Sequence, residues 1–177
     1  MTFKTVFHTA VSLDGFLATA DHNLDWLLSR HSDPDGPLGL NHFTANVGAI
    51  AMGASTYRWV IDHDKGPWPF TMPSWVFTHR EFPEFTDNRD VRLTADPVDV
   101  VHKQMAEAAG GKDIWLMGGG ELVGQFADHG LLDEIVVSIA PVTLGAGAPL
   151  LPRHLELKTE EVAHNGDFAC VRYSVVR

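Results

Sequence analysis

The chain has 177 residues, with 13 Lys plus Arg against 23 Asp plus Glu and a formal net charge of −10 with His neutral. So acidic a surface opposes non-specific attachment to nucleic acid or anionic lipid, both of which need cations. No stretch approaches the roughly 18 uncharged apolar residues of a membrane span, and the lone Cys170 cannot close an internal disulfide.

The N-terminal MTFKTVFHTAVSLDG meets polar and charged residues too soon for a signal peptide. A single cytoplasmic domain over residues 1–177 is therefore expected, with no nucleic-acid or membrane partner. In chain order, Phe3 to Val11 predicts a first strand, Ser12-Leu13-Asp14-Gly15 a turn, and Phe16 to Ala18 a brief continuation. A helix is expected through Trp26-Leu27-Leu28, broken by the loop SDPDGPLG, Ser32 to Gly39. Val47 to Met52 is short, continuously apolar and bounded by glycine, the pattern of a strand buried on both faces. Ser55-Thr56-Tyr57 opens a short helix, and Pro67 to Pro73 is a loop. Ser74 to Thr78 and Val91 to Leu93 are further strands.

Pro97 to Ala109 predicts a helix with Asp96 as N-cap and Gly110-Gly111 as its stop. Val98, Val101, Met105 and Ala108 form its core face at helical spacing. Ile114 to Met117 is another buried strand, running through Gly118-Gly119-Gly120 into a helix that ends before Gly130. Glu134 to Ala140 is a strand, Pro141 to Pro152 a loop, and Glu160 to Val176 an antiparallel hairpin about Asn165-Gly166. Strands alternating with helices make this an α/β chain with a mostly parallel mixed sheet.

Two strand-to-helix junctions and one further strand end carry the chemistry. At Gly118-Gly119-Gly120 a backbone can pass within contact of a ligand and offer amide N–H groups at a helix N-terminus, where the dipole favours a pyrophosphate. Without the GxGxxG spacing it is not the ordinary dinucleotide fingerprint, and a tight turn with no ligand is the alternative. Met52-Gly53-Ala54-Ser55-Thr56 repeats the arrangement, its hydroxyls serving as helix caps or phosphate contacts. At Thr78-His79-Arg80 the guanidinium is either a solvated surface group or a partner for a 2′-phosphate. Ligands of open α/β sheets bind at this edge.

Asp14 and Asp25 are the carboxylates nearest the first strand, each either a turn or helix-start acid or a partner for the N–H groups of a pyrimidine or pterin. Ten histidines show no HExxH and no paired cysteine, so no metal site is expected. No GxSxG supports a nucleophilic mechanism.

Together, Ser12 to Ala18, Asp25-Trp26-Leu27, Ala51 to Tyr57, Val76-Phe77-Thr78, Ile114 to Leu122, Leu132 to Ile135 and Pro141 to Leu150 follow one order along nearly the whole chain. In that order the chain resembles the dihydrofolate reductase superfamily. It looks most like the reductase domain of bifunctional riboflavin-biosynthesis proteins and its stand-alone relatives. The resemblance implies the three-layer dihydrofolate reductase-like fold, with about eight strands and an antiparallel C-terminal hairpin. It also implies NADPH across the carboxyl edge of the sheet, hydride transfer to a small heterocycle such as a phosphoribosylamino-pyrimidine, and a homodimer. By position Gly53, Ser55 and Thr56, with Met117, Gly118, Gly119, Gly120, Glu121 and Leu122, would hold the cofactor. Thr78, His79 and Arg80 would lie near its adenosine end and Ala18 near its nicotinamide, with Asp14 and Asp25 as catalytic residues. Where dihydrofolate reductases carry a basic residue after the glycine of the second junction this chain has Ala54, leaving Arg80 or Arg58 to supply charge. A true dihydrofolate reductase and a non-catalytic nucleotide-binding domain are the alternative readings.

Overall fold

Near-continuous apolar runs build the centre of the sheet, as strands covered on both faces must. The structure, a computed structural model, describes residues 2–85 and 87–177. Strand β1 (Thr5–Ser12) leads through a turn to β2 (Phe16–Ala18), followed by the short helices α1 (Asp25–Leu28) and α2 (Leu40–Thr44). Next come β3 (Val47–Gly53), α3 (Ala54–His63), β4 (Ser74–Phe77), β5 (Val91–Thr94) and α4 (Val98–Ala109). The chain continues with β6 (Asp113–Gly118), α5 (Gly120–Asp128), β7 (Glu134–Ala140), β8 (Ala148–Pro149), β9 (Leu157–Asn165) and β10 (Phe168–Val175).

Eight strands form one sheet in the order β5-β4-β3-β6-β1-β7-β10-β9, and β2 pairs with β8 in a small separate ribbon. All pairings from β5 to β7 are parallel; β10 is antiparallel to both β7 and β9. This is the mixed sheet with an antiparallel C-terminal hairpin expected of a dihydrofolate reductase-like three-layer architecture. On one face Phe7, Ala51 and Leu116 pack against Val101 and Met105 of α4 and Val123 and Phe126 of α5. On the other, Ile50, Met52 and Trp115 pack against Tyr57 of α3 and Phe43 of α2. No helix among the described residues is long and apolar enough to cross a membrane.

The lateral order places a switch point between β3 and β6. These neighbours are parallel, yet α3 leaves β3 toward one face and α5 leaves β6 toward the other. A crevice must open at their carboxyl ends, the usual ligand position in open α/β sheets.

Four local expectations are corrected. Asp96 is not the cap of α4: Pro97, at φ −57° and ψ 145°, takes that place with no side-chain bond, and the Asp96 N–H is turned to Thr94 Oγ1 at 3.1 Å. The last core position of α4 is Ala109 and not Ala108, because the buried face drifts to the spacing 98, 101, 105, 109. In the hairpin Asn165 pairs with Phe168, so the two central residues are Gly166 and Asp167, of which only Gly166 has positive φ, 59°. Within Pro141 to Pro152, Ala148–Pro149 forms the strand that meets β2. The short α2 has no counterpart in the expected elements.

Candidate functional site

Helices α3 and α5 begin without side-chain caps. Their N-cap residues are Gly53 (φ −84°, ψ 172°) and Gly119 (φ −83°, ψ −171°), and neither start carries a side-chain hydrogen bond. The first-turn N–H groups of both helices are therefore open to an outside acceptor, with both dipoles behind them. Register brings the junctions together: Met52 pairs with Gly118, and the Thr56 hydroxyl donates to the Gly118 carbonyl at 3.3 Å. Gly118 has φ 118°, closed to other residues in practice, and the peptide to Gly119 is cis. A Cβ built on Gly119 meets no heavy atom within 4 Å, whereas one on Gly120 stands 2.5 Å from the carbonyl oxygens of both Pro149 and Leu150. Gly120 thus allows close packing of the β8 segment, while at Gly119 the protein leaves space.

That space is part of a cleft of about 610 Å³ over the two helix starts, bordered by Leu17 and Ala18 of β2 and by Met117. Glu121 lies at its rim, held by Arg153, whose Nη2 donates to Oε1 at 3.0 Å. That guanidinium keeps the Glu121 carboxyl below its ordinary range.

A second chamber of about 530 Å³ adjoins the cleft, the two sharing Thr9, Ala10, Leu27, Trp59 and Met117. Its walls include Phe70, Trp115 and Phe168, and the segment from Ser32 to Leu40 borders it. The C-terminal hairpin fastens that segment. Asn165, 5% exposed, accepts the Asp33 N–H on Oδ1 at 2.8 Å and donates through Nδ2 to the carbonyls of Asp33 (2.8 Å) and Pro37 (3.1 Å). His8, 8% exposed, borders the chamber and stacks on Phe43 at 4.5 Å, and its Nε2 has no hydrogen-bond partner. Burial pushes the imidazole down to about 4, so it is neutral at pH 7.

The sequence profile of the RibD C-terminal domain matches residues 4–169. The chain belongs to that family. Uncharacterized protein YwjB of Bacillus subtilis (strain 168) is 32% identical over 154 residues, covering 85% of this chain and 83% of that protein. A solved structure from Shewanella sp. PV-4, named for riboflavin biosynthesis, superposes with a TM-score of 0.81 at 26% identity, covering 98% of this chain and 99% of that one. The Thermotoga maritima diaminohydroxyphosphoribosylaminopyrimidine deaminase/5-amino-6-(5-phosphoribosylamino)uracil reductase shares the fold, with a TM-score of 0.64 and 15% identity over 99% of this chain and 57% of that one.

Within this RibD C-terminal fold the cleft gathers most of the residues singled out in the sequence. Ala18, Gly53, Ser55 and Thr56 border it, as do Met117, Gly119, Gly120, Glu121 and Leu122. Gly118 shapes the turn behind them. Thr78, His79 and Arg80 follow β4, the neighbour of β3, and stand outside the cleft lining with His79 and Arg80 exposed. Asp14 and Asp25 line neither cavity. The Asp14 carboxylate accepts the Ser12 hydroxyl at 2.6 Å and the N–H groups of Leu144 (3.0 Å) and Gly145 (2.7 Å), tying the β1–β2 turn to the loop after β7. These bonds, the Ser12 hydroxyl foremost, hold its carboxyl at about 2. Asp25 is exposed at the start of α1, its Oδ2 accepting from Asn23 Nδ2 at 3.1 Å. Sequence reasoning passed over His8, Trp59, Asp33, Asp64 and Asn165. Only Asn165 carries a local signal, the Asn-Gly pair, which points to a turn and not to a tether.

Proposed function

We propose that this chain is an NADPH-dependent reductase of a small heterocycle, of the riboflavin-biosynthesis type. One observation carries the reading: two uncapped helix starts and a vacant glycine face a single cleft that adjoins an aromatic-walled chamber. The donor set fits a dinucleotide. Backbone N–H groups of α3 and α5, with the Ser55 hydroxyl, hold the pyrophosphate. Ala18 and Leu17 border the cleft, and in this reading the nicotinamide ring lies against them. Arg80, at the carboxyl end of the neighbouring strand, forms none of the ion pairs found among the described residues and is left for the 2′-phosphate.

When bound, the cofactor supplies a hydride for an electron-poor ring carbon, whose heteroatom then takes a proton. The chain itself orients and desolvates. Trp59 and Met117 stand where the cleft opens into the chamber and keep the substrate ring against the cofactor end. Asp14, ionised and saturated with hydrogen bonds, positions the loop after β7 and is not the proton donor in this reading. Membership of the RibD C-terminal family and the likeness to the Shewanella structure support an oxidoreductase assignment.

The test is a fluorescence titration with NADPH and NADH, on the wild type and on Arg80→Ala. Sub-millimolar NADPH binding is expected, with Kd rising about tenfold in the variant, the worth of one charge-assisted contact, and NADH binding unchanged. Failure of the wild type to bind either nucleotide refutes the reading and leaves a non-catalytic domain.

A further inference from the structure

The substrate chamber offers a phosphate neither a cationic side chain nor the open start of a long helix. None of the 13 Lys and Arg side chains, all among the described residues, lines the chamber or the cleft. Many of these cations are committed elsewhere. Arg89 pairs with Asp87 and lies over the Phe85 ring at 3.6 Å; Arg92 pairs with Asp90; Arg153 is shared by Glu121 and Asp128. Arg172 pairs with Glu134 and Glu161, and Arg177 with Asp133. Arg30 turns its Nε to the Trp26 carbonyl at 3.2 Å.

The acidic residues that border the chamber are Asp33 and Asp64, both exposed. Each uses Oδ1 in a local turn, accepting the N–H of Asp35 at 3.0 Å and of Gly66 at 3.1 Å respectively. The start of α2 borders the chamber too, but its five residues make too short a helix for a useful dipole. A phosphate dianion beside them would meet two like charges with no cation lining the chamber in compensation. The remaining wall suits a flat ring: Trp59, Phe70, Trp115, Phe168 and Met117 offer aromatic and polarisable surface. His8 Nε2, buried and without a partner, is one neutral hydrogen-bonding group at this wall.

Resting on the reductase reading above, we propose that the molecule reduced in this chamber is a flat heterocycle carrying no phosphate, neutral or positively charged, with N–H groups that meet Asp33 and Asp64. The Thermotoga enzyme is named for a phosphoribosyl substrate; this chain's chamber selects against such a tail.

The experiment begins with NADPH-saturated protein, so that failure of cofactor binding strikes the reductase reading alone. Matched pairs are then titrated calorimetrically: 5-amino-6-ribosylaminouracil and its 5′-phosphate, guanosine and its 5′-phosphate, riboflavin and its 5′-phosphate. At least one unphosphorylated member is expected to bind ten times or more tighter than its phosphate ester. The double variant Asp33→Asn/Asp64→Asn keeps both Oδ1 turn acceptors and is expected to bind the phosphate esters at least tenfold more tightly than the wild type. Preference of the wild type for a phosphate ester, no gain in the double variant, or no binding by any member of the panel would each overturn the proposal.

Discussion

Replacing Gly119 with alanine separates a turn built for the chain from a turn built for a ligand. A Cβ at this position meets nothing within 4 Å, and φ of −83° is open to any residue. The only intrinsic cost is the weaker N-cap preference of alanine, up to about 1 kcal/mol, or about 2–4 °C in Tm for a chain of this length. On the ligand side the added methyl displaces a phosphate from the α5 amides. Losing one charge-assisted hydrogen bond costs about 1.5–3 kcal/mol, roughly 10- to 150-fold in Kd. Cofactor at 100 times Kd stabilises the wild type by about 2.7 kcal/mol, and a 30-fold weaker variant at the same concentration by about 0.9. Scanning calorimetry with and without NADPH should therefore show an apo Tm within about 4 °C of wild type and a ligand-induced shift cut to about a third. Gly120→Ala is the control of opposite sign. Its Cβ stands 2.5 Å from two carbonyl oxygens that cannot rotate away, so apo stability falls by about 1–3 kcal/mol. An undiminished NADPH shift in Gly119→Ala would show that no phosphate rests at this turn, and an apo loss as large as that of Gly120→Ala would show that the turn serves the chain itself.

Three further outcomes follow from particular contacts. His8 is held near 4 by burial, so the unfolded chain takes up the proton first. Its contribution is full above about pH 6.5 and falls as pH drops toward 4, by up to about 3 kcal/mol. His8→Phe should flatten urea-unfolding stability across pH 7, 5.5 and 4.5; His102, also lowered by burial, keeps a residual slope of the same sign. For Asp14, with its carboxyl at about 2, the stability it contributes is present above about pH 4 and lost as pH falls toward 2. The difference in Tm between wild type and Asp14→Asn should therefore vanish over that interval, and a constant difference would remove Asp14 from its clamping role. Asn165→Ala takes away three hydrogen bonds to the Asp33–Pro37 segment. It should cost about 1–3 kcal/mol, and the Asp33 amide should lose its hydrogen-exchange protection; retained protection would mean that another contact holds the segment.

Much of this molecule is legible in one dimension. The apolar runs at Val47 to Met52, Ile114 to Met117 and Glu134 to Ala140 state their own burial, because only a strand covered on both faces tolerates them. The glycines at 53 and 118–120 mark the helix starts that face the cleft. Burial of His8 is not legible in the same way, since a histidine between Phe7 and Thr9 reads alike whether its neighbour is water or Phe43. Nor does the Asn165-Gly166 pair reveal that Asn165 reaches back to Asp33 and Pro37.

Strand periodicity, helix spacing and turn chemistry depend on residues within a few positions of each other, so the order of the main strands and helices and the two glycine junctions are written in the sequence, while the short α2 and β8 are not. The lateral order β3-β6-β1 depends on which apolar faces find one another across the chain. It is that order which makes the two junctions abut and opens the crevice between helices on opposite faces. The chamber is likewise a product of distant segments, with its wall aromatics drawn from α3, the loop before β4, β6 and β10 and its edge pinned by the C-terminal hairpin. Its shortage of cations emerges only there, because a count of 13 Lys and Arg carries no information on which of them the fold turns away.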